Sequence, residues 1–290
     1  MKTPLILFWS SIRGAVSMKP RWYSGLKNLN LFLRVLKENI PWIRRKKQRG
    51  RPPKHSIRKY LQLIVAKEFQ RCSLRGAEQN LSKRICRTRV DHSVIAYWEK
   101  KLRELVASVI LFIGLVIERI LGYNFSFIDS TKFTTWHCRE VEFHTLVRVG
   151  NGFLYPVNAC FGSVSPKVVA KRILIPGKGK LLADRWYDDN IVFKYAIKNG
   201  YEPVIKPNKN RDRGYWRRIG RKIYNQIHNR YFYKQRSRGE SIFASLTNEF
   251  GDRLNSRLKE TTATRIGARI LTHQIKLLMR IFSYYVLWNF

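Results

Sequence analysis

LLADRWYDDN, residues 181–190, ends a short apolar run on Asp184 and then brings two further acids, Asp188 and Asp189, within six positions. The chain around it has 57 Lys plus Arg against 19 Asp plus Glu, so this local concentration of negative charge needs a reason. Lys180 to Ala183 has the length and apolarity of a buried strand, which leaves Asp184 at its C-terminal end. Asp188 then opens a helix that runs to Lys198 and closes at Asn199-Gly200, and Asp188 and Asp189 are read as acids favoured by the N-terminal end of the helix dipole. Working outward, NFSFI (124–128) alternates and ends in Asp129-Ser130-Thr131. Val141 to Val149 and Phe153 to Phe161 flank Gly150-Asn151-Gly152, a strong hairpin turn. A helix over Lys167 to Ile173 and a strand over Pro203 to Lys206 complete the order β-β-β-α-β-α-β.

That order predicts an α/β fold with an RNase H-like mixed sheet flanked by helices. In such a sheet the first and fourth strands are neighbours, so Asp129 and Asp184 would meet at adjacent strand ends. Two carboxylates that close repel unless a cation lies between them, and magnesium suits oxygen ligands. The third acid is sought in YKQRSRGESIFASLTNEF, residues 233–250. Helical spacing puts Glu240 on one face with Phe243, Ala244 and Thr247, expected to pack toward the sheet, and turns Glu249 to the opposite side.

Asp129-Ser-Thr, Asp184 within ADRWYDD, and Tyr233-x2-Arg236-x3-Glu240 resemble the three acidic motifs of DDE insertion-sequence transposases, over about residues 123–260 and with 55 and 56 residues between the acids. The resemblance implies that Asp129, Asp184 and Glu240 are catalytic and hold two Mg2+ or Mn2+ ions. It also implies cleavage of the ends of a mobile DNA element, and attack of the freed 3′-hydroxyl on a target duplex, with no covalent protein–DNA intermediate. Two positions depart from the family pattern. Thr247 stands where lysine is usual, which leaves phosphate contact to Arg236 or Arg238 beside Tyr233, and Trp186 stands where glycine is common. A nuclease of the same fold that cuts without joining, and a co-opted, non-catalytic DNA-binding protein, share these features.

The bulk chemistry agrees with a nucleic-acid partner. A formal charge of +38 and a pI near 10.6 load a compact chain with self-repulsion that a polyanion relieves. Residues 44–54, RRKKQRGRPPK, carry nothing apolar and read as an extended linker (44–55) after an N-terminal segment, 1–43, of unassigned fold. Within it Arg49 and Arg51 resemble an AT-hook core suited to a narrow minor groove; a basic linker touching phosphates without preference is the alternative.

Residues 56–122 predict an all-α module. Ser56 caps a first helix, a second follows Ser73, and a third starts at Asp91 with Val94, Ile95, Trp98 and Leu102 facing inward. The arrangement resembles a helix-turn-helix presenting His92, Ser93, Tyr97 and Lys100 to a groove; a plain three-helix bundle is the alternative. In the catalytic region, 123–290, residues 207–235 form an insertion that mixes Arg217, Arg218 and Arg221 with Tyr215 and Trp216, a composition suited to DNA ends and equally to a solvated basic loop. The C-terminal stretch from Ile266 reads as an amphipathic helix, either core or the contact of a homodimer in a synaptic complex.

The four cysteines are spaced singly and read as reduced thiols. Leu105 to Ile117 is too short to span a bilayer and reads as a buried helix, and the N-terminal apolar run is short for a signal peptide. The expectation is a cytoplasmic, nucleoid-associated protein with no membrane partner.

Overall fold

The computed structural model describes residues 28–41, 43, 52–137, 139–162, 164–210 and 213–288, with side chains to Ile281; Arg49, Arg51 and Cys138 lie outside the described residues. Helix α1 is Leu29–Asn39 and α2 is Ile57–Phe69, capped by Ser56, whose hydroxyl accepts from the Lys59 amide. The composite α3 joins Leu74–Gly76, a π-helical Ala77–Leu81 and Ser82–Cys86. Helix α4, His92–Lys101, starts at the cap Asp91, and α5 is Arg103–Leu121. Strands β1 (Phe125–Thr135), β2 (Glu140–Gly150) and β3 (Phe153–Phe161) precede α6 (Pro166–Ile173), β4 (Lys180–Ala183), α7 (Asn190–Lys198) and β5 (Glu202–Ile205). Then come α8 (Tyr215–Asn225), α9 (Ile227–Phe232), α10 (Ser237–Phe250), the two-residue β6 (Arg253–Leu254) and α11 (Lys259–Trp288).

The sheet has the order β3-β2-β1-β4-β5, with β6 alongside the far end of β1. β4 runs parallel to both β1 and β5, and Asn151 and Gly152 both take positive φ, 48° and 80°, as a two-residue hairpin turn demands. The expected mixed sheet with its first and fourth strands side by side is therefore present. β1 continues to Thr135 rather than stopping before Asp129, because Phe133 and Thr135 are buried and extend the alternation.

Two compact units emerge, and their division runs through α5, β1, β2 and α10. Among the described residues one comprises 114–130 and 144–242. Its core sets Ile128, Leu146, Leu181 and Ala183 from the sheet against Val169 and Ile173 of α6 and Val192, Phe193 and Ala196 of α7. Burying such side chains stabilises by roughly 1.5–3 kcal/mol each.

The other comprises 28–113, 131–143 and 243–288. There α11 packs against α1, α2 and α4, so these four helices share a core. Ile270, Leu271, Ile275 and Leu278 of α11 are fully or almost fully buried. In α4, Ile95 and Leu102 face inward as expected, whereas Val94 is exposed. No helix among the described residues is long and apolar enough to cross a membrane. Cys72, Cys86 and Cys160 are free thiols, the first half-buried and the others buried.

Candidate active site

The register of β1 with β4 pairs Ile128 with Ala183, so Asp129, within β1, and Asp184, just past the end of β4, follow neighbouring paired residues of parallel strands. Asp129 is buried and its Oδ1 accepts the Ser130 amide at 3.0 Å. Asp184 caps a single 3-10 turn, Arg185–Tyr187, with Oδ1 accepting the Arg185 amide at 2.7 Å, while its Oδ2 faces the Arg236 guanidinium.

Glu240 arrives by a different route. Gly239, at the start of α10, lies so close to β1 that an added Cβ would fall 2.7 Å from the Phe127 ring. Only glycine permits that approach without displacing the ring, and it brings the first turn of α10 down onto the strand that carries Asp129. The Glu240 side chain is 66% exposed, and Ala244 on its face is exposed too. The expected packing of that face holds for Phe243, which is buried, and is corrected for Glu240 and Ala244: the buried side of α10 carries Gly239, Ile242, Leu246 and Glu249 beside Phe243. Glu249, expected to point away, is 4% exposed and paired with Lys276 of α11.

The three acids share one cation. Arg236, in the 3-10 turn Tyr233–Arg236 that leads into α10, sets Nη2 3.7 Å from Asp184 Oδ2 and 3.9 Å from Asp129 Oδ1, and Nη1 3.2 Å from Glu240 Oε1. Burial raises the Asp129 carboxyl above the ordinary range, and the neighbouring Asp184 and Glu240 charges push the same way against Arg236 and the Ser130 amide. Although burial disfavours its charged form, the Arg236 guanidinium is held above its ordinary value by Asp129 and the other anions around it. Burial also raises the Tyr233 phenol, and the nearby Asp184 and Asp129 charges add to the shift. Three carboxylates around one guanidinium leave a net negative charge that attracts cations, and hard carboxylate oxygens facing a common cation are the donor type that Mg2+ or Mn2+ takes.

Residues 120–275, more than half the chain, fit the family described as Transposase DDE domain. The chain belongs to the DDE transposase family. No curated protein and no solved structure matches it. Membership makes the transposase an enzyme of DNA phosphoryl transfer and implies the use of divalent metal.

The remaining sequence candidates fall in different surroundings. In the transposase Arg217 is buried: its Nε donates to Asp188 Oδ1 at 2.8 Å and its Nη2 to the Asp188 carbonyl at 2.9 Å. Asp188 is fully buried, and its Oδ2 also accepts the Asn208 amide at 2.7 Å. The reading of Asp188 as a helix-dipole charge is therefore corrected: it anchors α8, while Asp189 alone caps α7 by accepting the Ile191 amide. Arg218 and Arg238 are exposed, and Arg221 is half-buried with Nη2 donating to the Asn208 carbonyl.

In the helical unit Ser93, Tyr97 and Lys100 are exposed on α4, whereas His92 Nδ1 lies 2.9 Å from Glu78 Oε2. Glu78, Asp91 and His92 form a tight polar group, and Arg89 and His92 hold the Glu78 carboxyl below its ordinary value. His144 is the residue the sequence reading passed over. Trp186 stacks on its ring at 5.2 Å, and its Nδ1 lies 3.0 Å from the Tyr187 hydroxyl. The indole that departs from the family pattern thus has a partner, signalled in sequence only by His144 lying on β2 in alternation with the buried Leu146.

Proposed function

We propose that the transposase binds the ends of a mobile DNA element of the insertion-sequence type and catalyses strand cleavage followed by strand transfer into a target duplex. The observation that carries this reading is the convergence of Asp129, Asp184 and Glu240, the acids of the three motifs that resemble the family's, on the single guanidinium of Arg236.

In this reading Asp129, Asp184 and Glu240 hold two divalent ions, Mg2+ or Mn2+. When bound, the ions supply Lewis-acid stabilisation of the charge that develops on the transferring phosphoryl group. Asp129 contributes a ligand fixed by its strand and by the Ser130 amide, and Asp184 one fixed by the Arg185 amide. Such anchoring orients carboxylates as supporting hydrogen bonds do around metals in general. Arg236 and Arg238, together with Tyr233, contact the phosphates beside the cleaved bond, and the exposed Arg218 extends the contact along α8. Arg49, Arg51, Ser93, Tyr97 and Lys100 serve end recognition, and two protomers join in a synaptic complex.

The test is strand cleavage and joining by the full chain on a duplex carrying the element's terminus and its flank, in Mg2+, in Mn2+ and in chelator. Metal-dependent nicking followed by joined product supports the proposal. Nicking without joining makes the protein a nuclease, and DNA binding without either makes it a non-catalytic binder.

A further inference from the structure

A cleft of about 690 Å³ opens wholly within the helical unit, between the end of α2 with the start of α3 on one side and β6 with the first turns of α11 on the other. Its floor is a buried ion-pair network. Lys67 Nζ lies 2.6 Å from Glu68 and 3.1 Å from Glu99, Arg265 Nη2 lies 2.9 Å from Glu99, and Arg269 Nε lies 3.2 Å from Glu68. These side chains are 0–12% exposed. Burial opposes ionisation of Glu68, yet Lys67 and Arg269 hold its carboxyl below the ordinary range. Three cations meet two carboxylates. The network therefore keeps a surplus positive charge, met in part by the carbonyls of Asn255, Gly251 and Arg253, to which Arg265 and Arg269 donate, and it favours the approach of an anion.

The rim adds more of the same sign. Arg71, Arg75 and Arg253 line the cleft, are exposed, and form no ion pair among the described residues. Arg253 lies over the exposed Trp136 ring, 6.0 Å from its centroid. Arg71 takes a left-handed conformation, φ 51°, where α2 ends and the Cys72 amide reaches back to the Lys67 carbonyl. Glycine or asparagine is the relaxed choice at such a helix exit. An arginine kept there against local strain points to a use for its side chain.

We propose that this cleft is a second DNA contact, separate from the carboxylate site, which grips the phosphodiester backbone of a duplex through Arg71, Arg75 and Arg253, with the surplus charge of the buried network behind them. The inference rests on the transposase reading for its ligand. It differs from the groove-facing positions Ser93, Tyr97 and Lys100 in taking backbone phosphates, so it is indifferent to base sequence. A volume of about 690 Å³ is more than one small ion fills, and the chain's excess of positive charge selects a polyanion.

The experiment compares the full chain with the triple variant Arg71→Gln, Arg75→Gln, Arg253→Gln, measuring binding to a 30-base-pair duplex across a salt series. The control, Lys167→Gln, Lys171→Gln, Lys198→Gln, removes the same charge from exposed sites on α6 and α7. Each lost phosphate contact lowers the magnitude of the log-log salt slope by about 1, so the cleft variant should lose roughly 3 and weaken on the order of tenfold at physiological salt. The control should lose less than about 1. All three substituted arginines are exposed, and an unchanged melting temperature confirms the fold. A wild-type slope in the cleft variant, or an equal loss in the control, overturns the cleft and leaves the transposase reading standing. Tight binding of inorganic phosphate, or of a polyglutamate peptide, that the cleft variant loses while keeping its DNA slope also overturns it, in favour of a small-anion or acidic-peptide site. Absence of DNA binding by the wild type overturns both readings.

Discussion

Arg236 Nη2 lies 3.7 Å from Oδ2 of Asp184, and the same guanidinium faces Asp129 and Glu240. A cation shared by three carboxylates screens their mutual repulsion, so Arg236→Gln exposes that repulsion. Solvent around Asp184 and Glu240 screens the effect, leaving a loss on the order of 1 kcal/mol, or roughly 2–4 °C in Tm. Added Mg2+ should restore more stability to Arg236→Gln than to wild type, because it binds the folded carboxylates alone. Thermal melts in chelator and in Mg2+ check this, and an equal metal-induced gain in both proteins contradicts it.

Asp188 and Arg217 form a buried pair that ties α8 to the start of α7. Removing one partner leaves a buried charge uncompensated, a loss of about 3–5 kcal/mol. Asp188→Ala should therefore unfold several degrees earlier and lose activity through folding. Asp189→Ala removes only the cap of α7 and should lose about 1 kcal/mol. Urea unfolding of the two variants separates these expectations.

Glu249 and Lys276 couple α10 to α11 in the helical unit. Glu249→Gln should destabilise by a similar 3–5 kcal/mol, since Lys276 is left buried without a counter-charge. The double change Glu249→Leu, Lys276→Met should recover most of that loss. A double variant no better than the single one would show that the pair itself stabilises the fold.

Burial depresses His144 to about 4, below the ordinary 6.5. The unfolded chain then binds its proton more readily than the folded one, so the stability tied to a neutral His144 is present above pH 6.5 and is lost as pH falls from 6.5 toward 4. Its share of the slope is at most about 1.4 kcal/mol per pH unit. His144→Phe should flatten that part of the stability curve, as measured by urea unfolding at pH 7 and pH 5. An unchanged difference between the two pH values would mean that His144 does not carry it.

Much of this was legible in the sequence because strand signals are local. Lys180–Ala183 and Phe153–Phe161 occupy the spans that their alternation and flanking turns indicate, and the order of elements put β1 beside β4. The caps Ser56, Ser73 and Asp91 were legible for the same reason: a side-chain acceptor meets an amide two or three residues on.

What escaped depends on partners distant in sequence. Nothing local distinguishes Asp188 from Asp189, yet Arg217, 29 residues on, buries one and leaves the other as a cap. The face of α10 was misjudged because its apolar residues admit two stripes, and Lys276 decides in favour of the one containing Glu249. The grouping of α11 with α1, α2 and α4 had no periodic signal either, since an amphipathic helix shows that it packs and not against what.

The decisive measurement is strand cleavage in Mg2+ by Asp129→Asn, Asp184→Asn and Glu240→Gln, each alongside DNA affinity and a melting curve. Each change removes one negative charge from the site proposed to hold the ions and weakens the repulsion between that site and DNA phosphates. All three variants should fold, bind DNA as tightly as wild type or more tightly, and show cleavage reduced by at least about a thousandfold. Cleavage near the wild-type rate by any one of the three, with its fold intact, would contradict the assignment of that residue to the catalytic set.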